Sequence, residues 1–323
     1  MLGFSLPDYW VWDFWIADDG EQFHLFYLHA PRSLGHPDLR HRNARIGHAT
    51  SNDLRTWVNH GQAFAAGDPG TFDGTATWTG SVVRGPDGLW RMYFTGSRFL
   101  SPETNANVET IGMLTSPDLF TWTKIPGPIS TADSRWYETL GSSSWPEEAW
   151  RDPWVFPDAD GTTWHMLITG RAAEGELMHR GVVAHATSTD MQHWVSQPPL
   201  SAAGYDFAHL EVLQVAEIDA RYYAIFSCDT ARLAGALAGK VGGIWWMRAD
   251  GPTGPFDIGG AKLLAAQDLY AGRLIADRAG QWHLMAFDNR TVSGNFIGSI
   301  VDPIPIVVDR LTGDLSLAPD QVI

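Results

Sequence analysis

Trp90-Arg91-Met92-Tyr93-Phe94 follows the turn Pro86-Asp87-Gly88, and this pairing of a tight turn with an aromatic, apolar segment decides the fold because it recurs. Phe23-His24-Leu25-Phe26-Tyr27 follows Asp18-Asp19-Gly20, and Trp164-His165-Met166-Leu167-Ile168 follows Asp158-Ala159-Asp160-Gly161. Tyr222-Tyr223-Ala224-Ile225-Phe226 follows Asp219-Ala220, and Trp282-His283-Leu284-Met285-Ala286 follows Asp277-Arg278-Ala279-Gly280. The copies lie roughly 58 to 74 residues apart, the mark of a repeat architecture. Asp and Gly supply the local hydrogen bonds and positive φ that hairpins need, so each aromatic segment reads as the second strand of a hairpin.

A second motif follows the aromatic strand. Ile46-Gly47-His48-Ala49-Thr50-Ser51-Asn52-Asp53-Leu54 leads to Trp57, Ile111 to Leu119 leads to Trp122, and Val183 to Met191 leads to Trp194; a fourth copy, Ile244 to Phe256, is degenerate. Each good copy reads as a strand, a Ser-x-Asp turn and a short outer strand carrying the Trp, which should pack between neighbouring units. Four antiparallel strands per unit, five times over, predict an all-β fold, a five-bladed β-propeller. No helical period of useful length competes. Pro- and Gly-rich pieces such as Gly67-Asp68-Pro69-Gly70 and Pro126-Gly127-Pro128 fall inside the repeat, so residues 1–323 are expected to form one domain. The extended tail from Pro303 to Asp309 should complete the last blade.

A chain of 323 residues can bury a large core without covalent staples. The lone cysteine, Cys228, excludes an internal disulfide and reads as a small buried side chain. A net charge of −15 argues against nucleic acid and acidic polymers as partners and favours a small neutral ligand. Sixteen tryptophans supply cores, and some aromatic faces suited to stacking on sugar rings. No apolar run approaches the ~20 residues of a membrane span. Met1 to Asp8 lacks the basic and apolar regions of a leader, so a cytoplasmic location is expected.

In a propeller the first strand of each unit lines the central channel. The candidates are Val11-Trp12-Asp13-Phe14-Trp15, Thr77-Trp78-Thr79-Gly80-Ser81, Trp150-Arg151-Asp152-Pro153-Trp154, His209-Leu210-Glu211-Val212-Leu213 and Leu269-Tyr270-Ala271-Gly272-Arg273. Three hold an acid among apolar neighbours: Asp13, Asp152 and Glu211. Each lies roughly seven to nine residues before its turn, so the three should converge at one end of the channel. A carboxylate there is costly unless paired or used. One alone reads as structural, Asp152 through a salt bridge to Arg151; three at equivalent positions read as a site.

Val-Trp-Asp-Phe-Trp at 11–15, followed by His24-Leu25-Phe26-Tyr27, resembles the nucleophile region of glycoside hydrolase families 32 and 68, the invertases, fructanases and levansucrases. The first stretch is closer to levansucrases and the second to invertases, whose usual Asn-Asp-Pro-Asn-Gly is absent. Trp78-Thr79-Gly80-Ser81 resembles the Trp-Ser-Gly-Ser of both, and Arg151-Asp152-Pro153 resembles the Arg-Asp-Pro signature of that clan. Glu211 stands where the family's acid/base stands, in a Glu-Val-Leu context in place of Glu-Cys-Pro. The resemblance covers the whole catalytic propeller, while the C-terminal β-sandwich typical of invertases has no room here. It implies a retaining, exo-acting β-fructofuranosidase acting on sucrose or related fructosides, with no metal or other cofactor. Asp13 would be the nucleophile, and Glu211 the general acid and then base, with a raised pKa. Asp152 would stabilise the transition state through sugar hydroxyls, and Arg151 would keep Asp152 ionised and touch Glu211. Trp12, Trp78 and Ser81 would wall the sugar pocket, with His209 and Tyr270 as further substrate contacts.

Three alternatives stand beside this reading. Fructosyl transfer of the levansucrase type uses the same residues. An inverting α-L-arabinofuranosidase fits the fold but not the intact Arg-Asp-Pro. A non-catalytic sugar-binding propeller should have lost a carboxylate. His24, His165 and His283 occupy equivalent strand positions and read as repeat structure. The segment Arg32 to Arg45, with four arginines plus His36 and His41, reads as a solvated loop, with the rim of the site or a partner chain as the other options. Self-association is left open.

Overall fold

The computed structural model describes residues 3–289, 291–292 and 295–318. The first aromatic segment, Phe23–Pro31, is buried almost throughout because its two faces pack into the seams with blades two and five. Tyr9–Asp18 pairs with it on one side and Arg45–Ser51 on the other, with Val58–Phe64 outermost, all antiparallel. A strand covered on both faces needs a continuous apolar run rather than alternation, which is what these segments show.

Four further sheets repeat this order. Blade two is Ala76–Arg84, Trp90–Phe99, Asn107–Ser116 and Thr123–Lys124; blade three is Trp150–Pro157, Trp164–Arg171, Gly181–Ser188 and Val195–Gln197. Blade four is Glu211–Ile218, Arg221–Cys228, Gly243–Ala249 and Lys262–Ala266; blade five is Leu269–Ala276, Trp282–Asp288, Ile304–Val308 and Leu315–Leu317. The protein is thus a five-bladed β-propeller with four antiparallel strands per blade. Helical structure among the described residues is confined to short 3₁₀ turns in loops. Three details differ from the sequence expectation. The recurring Trp of each Ser-x-Asp unit, at 57, 122 and 194, sits just before the outer strand rather than within it. In blade four the outer strand lies beyond Phe256, which instead bridges Ala249. The tail around Ile304–Val308 is the third strand of blade five, and Leu315–Leu317 is the fourth.

Among the described residues, the apolar side chains gather in five seams, each between two blades. Trp15 and Phe26 meet Met92 and Phe94 between blades one and two, and Tyr93 and Ile111 meet Trp150 and Met166 between two and three. Leu167 and Val183 meet Leu213 and Phe226, then Ile225 and Trp246 meet Leu274 and Leu284. Val11 and Phe14 meet Met285 and Ile300 to close the ring. No blade covers its own faces, so the ring must close for all five seams to be complete. Trp122 packs edge-on against Phe26, and Trp194 against Tyr93, each on the preceding blade with ring centroids 5.5 Å apart. At the joint, Phe4 bridges Ile300, which bridges Phe287, and the Val11 amide donates to the Gly298 carbonyl at 3.1 Å.

The Ser-x-Asp turns share one mechanism. The Ser51 hydroxyl donates to Asp53 at 2.9 Å, and Asp53 accepts from the amides of Arg55 and Thr56 at 2.9 and 2.7 Å. Leu54, Leu119 and Met191 then take positive φ of 62°, 65° and 63°. This is rare for a non-glycine residue. Here the acidic cap holds the turn while each side chain is buried in a seam. The histidines are repeat structure too. His24 stacks on His48 with ring nitrogens 3.0 Å apart, and His165 stacks on His185 at the same separation in blade three. Cys228 is fully buried, and burial pushes its thiol up, as suits an inert side chain.

Candidate active site

The innermost strand of every blade loses register with its neighbour at the same height. The breaks fall between Val11 and Phe14, Trp78 and Gly80, Arg151 and Trp154, Glu211 and Gln214, and Tyr270 and Arg273. A bulge re-aims the side chains it carries. Asp13, Thr79, Asp152 and Val212, all inside these breaks, line one cavity of about 500 Å³, a size within the range of small-molecule sites.

Blades three to five hold their bulges by one device. Asp152, Val212 and Ala271 have φ of 58°, 55° and 49°. Each amide donates to a hydroxyl on the second strand of the preceding blade: Asp152 to Thr95 at 2.9 Å, Val212 to Thr169 at 3.3 Å, and Ala271 to Ser227 at 3.1 Å. A left-handed β-branched residue such as Val212 persists only where its surroundings over-determine it, and such strain collects at functional sites.

Of the nine site residues expected from sequence, eight line the cavity: Trp12, Asp13, Trp78, Arg151, Asp152, His209, Glu211 and Tyr270. Ser81 does not. It lies beyond the bulge, opposite Tyr93, with its hydroxyl buried and unpaired among the described residues. Thr79 takes the place foreseen for it and donates to Asp13 at 2.5 Å.

Arg151 organises the acids. It donates to Glu211 at 2.8 Å and Glu109 at 2.9 Å, reaches Glu147 at 3.4 Å, and lies 3.6 Å from Asp152. It also donates to His209 Nδ1 at 3.3 Å, which puts the imidazole proton on Nε2, 3.6 Å from Glu211. Asp152 further accepts from the Thr169 hydroxyl at 2.9 Å and the Val212 amide at 3.2 Å.

The charge balance reverses one expectation. Burial opposes ionisation of Glu211, but His209, Arg151 and the Tyr270 hydroxyl outweigh it and hold its carboxyl down at about 2. The raised group is Asp13, which burial and the charges of Asp152 and Glu211 push up to about 7, against Thr79 and Arg40. Asp152 is also pushed up by burial, although Arg151 opposes this. The neighbouring acids therefore do raise a carboxyl, but that of Asp13, while His209, Arg151 and Tyr270 together hold Glu211 down. Tyr270→Phe removes a donor that favours the charged form of Glu211. Its pKa is then expected to rise from about 2 toward the ordinary 4.5. Carbon-13 titration of the Glu211 carboxyl reads this directly, and an unmoved midpoint would refute the assignment.

Further residues outside the nine line the cavity. The segment Arg32 to Arg45 is largely exposed, as expected of a solvated loop, and it also rims the cavity, the other option. It folds as two 3₁₀ turns, Arg32–Leu34 and Pro37–Asn43, and brings Arg40, His41 and Arg42 to the cavity. Arg40 lies over Phe296 at 4.1 Å and Trp12 at 5.7 Å, and Trp78 Nε1 donates to the His41 carbonyl at 2.8 Å. Four arginines in one insertion were the available signal. Glu147, on a two-residue strand that pairs parallel with Asn107–Val108 of blade two, also lines the cavity, as do Asp229 and Arg232 from the connection after Arg221–Cys228. Glu109, wholly buried in blade two, is pushed up to about 8 by burial.

Acids from blades one, three and four meeting in one pocket, two of them bridged by an arginine, define a glycoside-hydrolase type of site. The chain belongs to that class by descent as well: it is a member of glycosyl hydrolases family 32, whose N-terminal domain matches residues 15–293. A fructan 6-exohydrolase of Beta vulgaris is 25% identical over 179 residues, covering 53% of this chain and 26% of that protein. An insoluble β-fructofuranosidase isoenzyme of Arabidopsis thaliana is 32% identical over 156 residues, covering 47% and 24%. The alignments thus span about a quarter of the length of these curated relatives. Among solved structures, the inulosucrase from Halalkalicoccus jeotgali bound to kestose superposes with a TM-score of 0.79 at 22% identity, covering 97% of this chain and 87% of that one. The levansucrase from Gluconacetobacter diazotrophicus gives 0.76 at 17% identity, covering 97% and 81%. These two likenesses concern the fold.

Proposed function

We propose that the protein is a retaining β-fructofuranosidase that hydrolyses sucrose or related β-fructosides from their ends. The observation that carries this reading is the convergence of Asp13, Asp152 and Glu211 in one pocket. Asp13 attacks C2 of the fructosyl unit while Glu211 protonates the departing oxygen. Glu211 then takes a proton from water, which attacks C2 and releases Asp13. Asp152, fixed by Thr169 and Val212, accepts from sugar hydroxyls and stabilises the oxocarbenium-like transition state. Attack needs Asp13 ionised and departure needs Glu211 protonated, yet the free protein holds its proton on the Asp13 side of the pair. The two therefore titrate as a dyad, and substrate must shift the proton to Glu211 as it displaces the contacts of Arg151 and Tyr270.

Fructosyl transfer is a second reading, favoured by the likeness to an inulosucrase and a levansucrase. The test is to incubate the protein with sucrose and quantify glucose and fructose together. Equal release supports hydrolysis. Glucose in excess, with the missing fructose in oligosaccharides, supports transfer. Release of neither sinks the sucrose assignment and turns attention to other fructosides, then to arabinofuranosides.

A further inference from the structure

Arg273 sits one layer behind the carboxylates and is 2% exposed. Its Nε donates to the Phe14 carbonyl at 3.3 Å, Nη1 to Leu213 at 3.1 Å and Nη2 to Gly80 at 3.3 Å. The guanidinium also lies 5.4 Å over the Trp154 ring. With its own strand in blade five, it touches all five blades. The three carbonyls are not arbitrary. Phe14 follows Asp13, Gly80 follows Thr79, which donates to Asp13, and Leu213 follows Val212, whose amide donates to Asp152. A buried cation held by neutral carbonyls is costly. Burial pulls the Arg273 pKa down to about 10, while Asp152 and Asp13 favour its charged form through space.

We propose that Arg273 is a positioning residue that clamps the bulges bearing Asp13, Thr79 and Val212 in register and keeps a fixed positive charge behind Asp13 and Asp152. The inference rests on reading these carboxylates as the catalytic set. Asp13 is faced by the like charges of Asp152 and Glu211 and by Arg40 from the loop of blade one. Arg273 supplies opposite charge from the far side. Its side chain does not line the cavity, so it acts through the residues that do.

The test uses Arg273→Lys and Arg273→Gln in the whole chain, with two readouts: kcat and KM on sucrose, and carbon-13 titration of the Asp13 carboxyl, assigned by its loss in Asp13→Asn. Lysine keeps the charge, but its single nitrogen cannot span three carbonyls that are met by three separate nitrogens. It should lower kcat about 10- to 100-fold, through misplacement of the reacting groups, and leave the Asp13 midpoint near that of the wild type. Glutamine should lower kcat further and raise the Asp13 midpoint by about one pH unit. A lysine variant with wild-type kcat, or a folded glutamine variant whose Asp13 titrates unchanged, would reduce Arg273 to a structural peg and overturn the proposal. If the glutamine variant is not recovered folded, the lysine kcat decides. If the wild type cleaves no fructoside, the functional reading falls while the Asp13 titration still judges Arg273.

Discussion

Asp13→Asn is expected to lower kcat on sucrose by about 10⁴- to 10⁶-fold, the scale of removing a covalent nucleophile, and at the same time to stabilise the protein above neutral pH. Asparagine is isosteric, so the bulge and an acceptor for Thr79 survive, but no fructosyl ester can form. The stability gain follows from linkage. The carboxyl is raised from 3.8 to about 7 in the folded state, so the fold binds this proton more tightly than the unfolded chain does. Below about pH 4 both states are protonated and the group contributes nothing. As pH rises through about 4 to 7, the folded state loses stability relative to the unfolded one, and above 7 the full penalty is present. Glu109, raised to about 8, acts in the same direction in wild type and variant alike. Melting temperatures at pH 4 and pH 8 should therefore differ less in the Asn variant than in the wild type, with the variant melting higher at pH 8. A variant that keeps a few per cent of wild-type turnover, once contamination is excluded, would remove Asp13 from the role of nucleophile. The family match begins at residue 15, so this assignment leans on the bulge geometry and the resemblance of the Val11–Trp15 stretch.

The propeller was legible because its seams need the same residues at the same height in each blade, and five aromatic strands behind five turns carry that demand openly. The Ser-x-Asp turns were legible for a similar reason: Asp53, Asp118 and Asp190 each cap two amides, so the residue type is dictated locally. The three acids were visible as charges in strands that should be apolar. What stayed hidden depends on contacts between blades. Thr95, Thr169 and Ser227 follow the aromatic core of their strands as ordinary hydroxyl residues, and only the ring shows that each receives an amide from the next blade's bulge. Ser81 was misplaced because the register break at Thr79 is invisible in a strand read by its motif. The pKa order of Asp13 and Glu211 was inverted because it turns on the groups gathered around Glu211, and of His209, Arg151 and Tyr270 only His209 is near it in sequence.

Glu211→Gln should lower kcat on sucrose by about 10²- to 10⁴-fold, the range for losing a general acid/base, and should also change the shape of the pH profile. In the wild type, activity needs one proton shared by Asp13 and Glu211, so kcat/KM falls on the basic side as that proton is lost near pH 7. In the variant no such proton is needed. Asp13 also loses one of the like charges that raise it, so its pKa drops. The residual activity should then rise through the lowered Asp13 pKa and stay flat into alkaline pH, without a basic limb. A fructoside with an acidic leaving group should lose far less in the first step, because its departure needs little protonation. Deglycosylation would then limit turnover, and in Glu211→Ala added azide should restore it, since azide attacks without needing a base. Under double displacement the fructosyl azide formed must retain the β configuration. A variant profile that keeps the wild-type basic limb, or azide that restores nothing, would place the acid/base elsewhere. Glu147 would be the next residue to test, since it shares Arg151 and the cavity with Glu211.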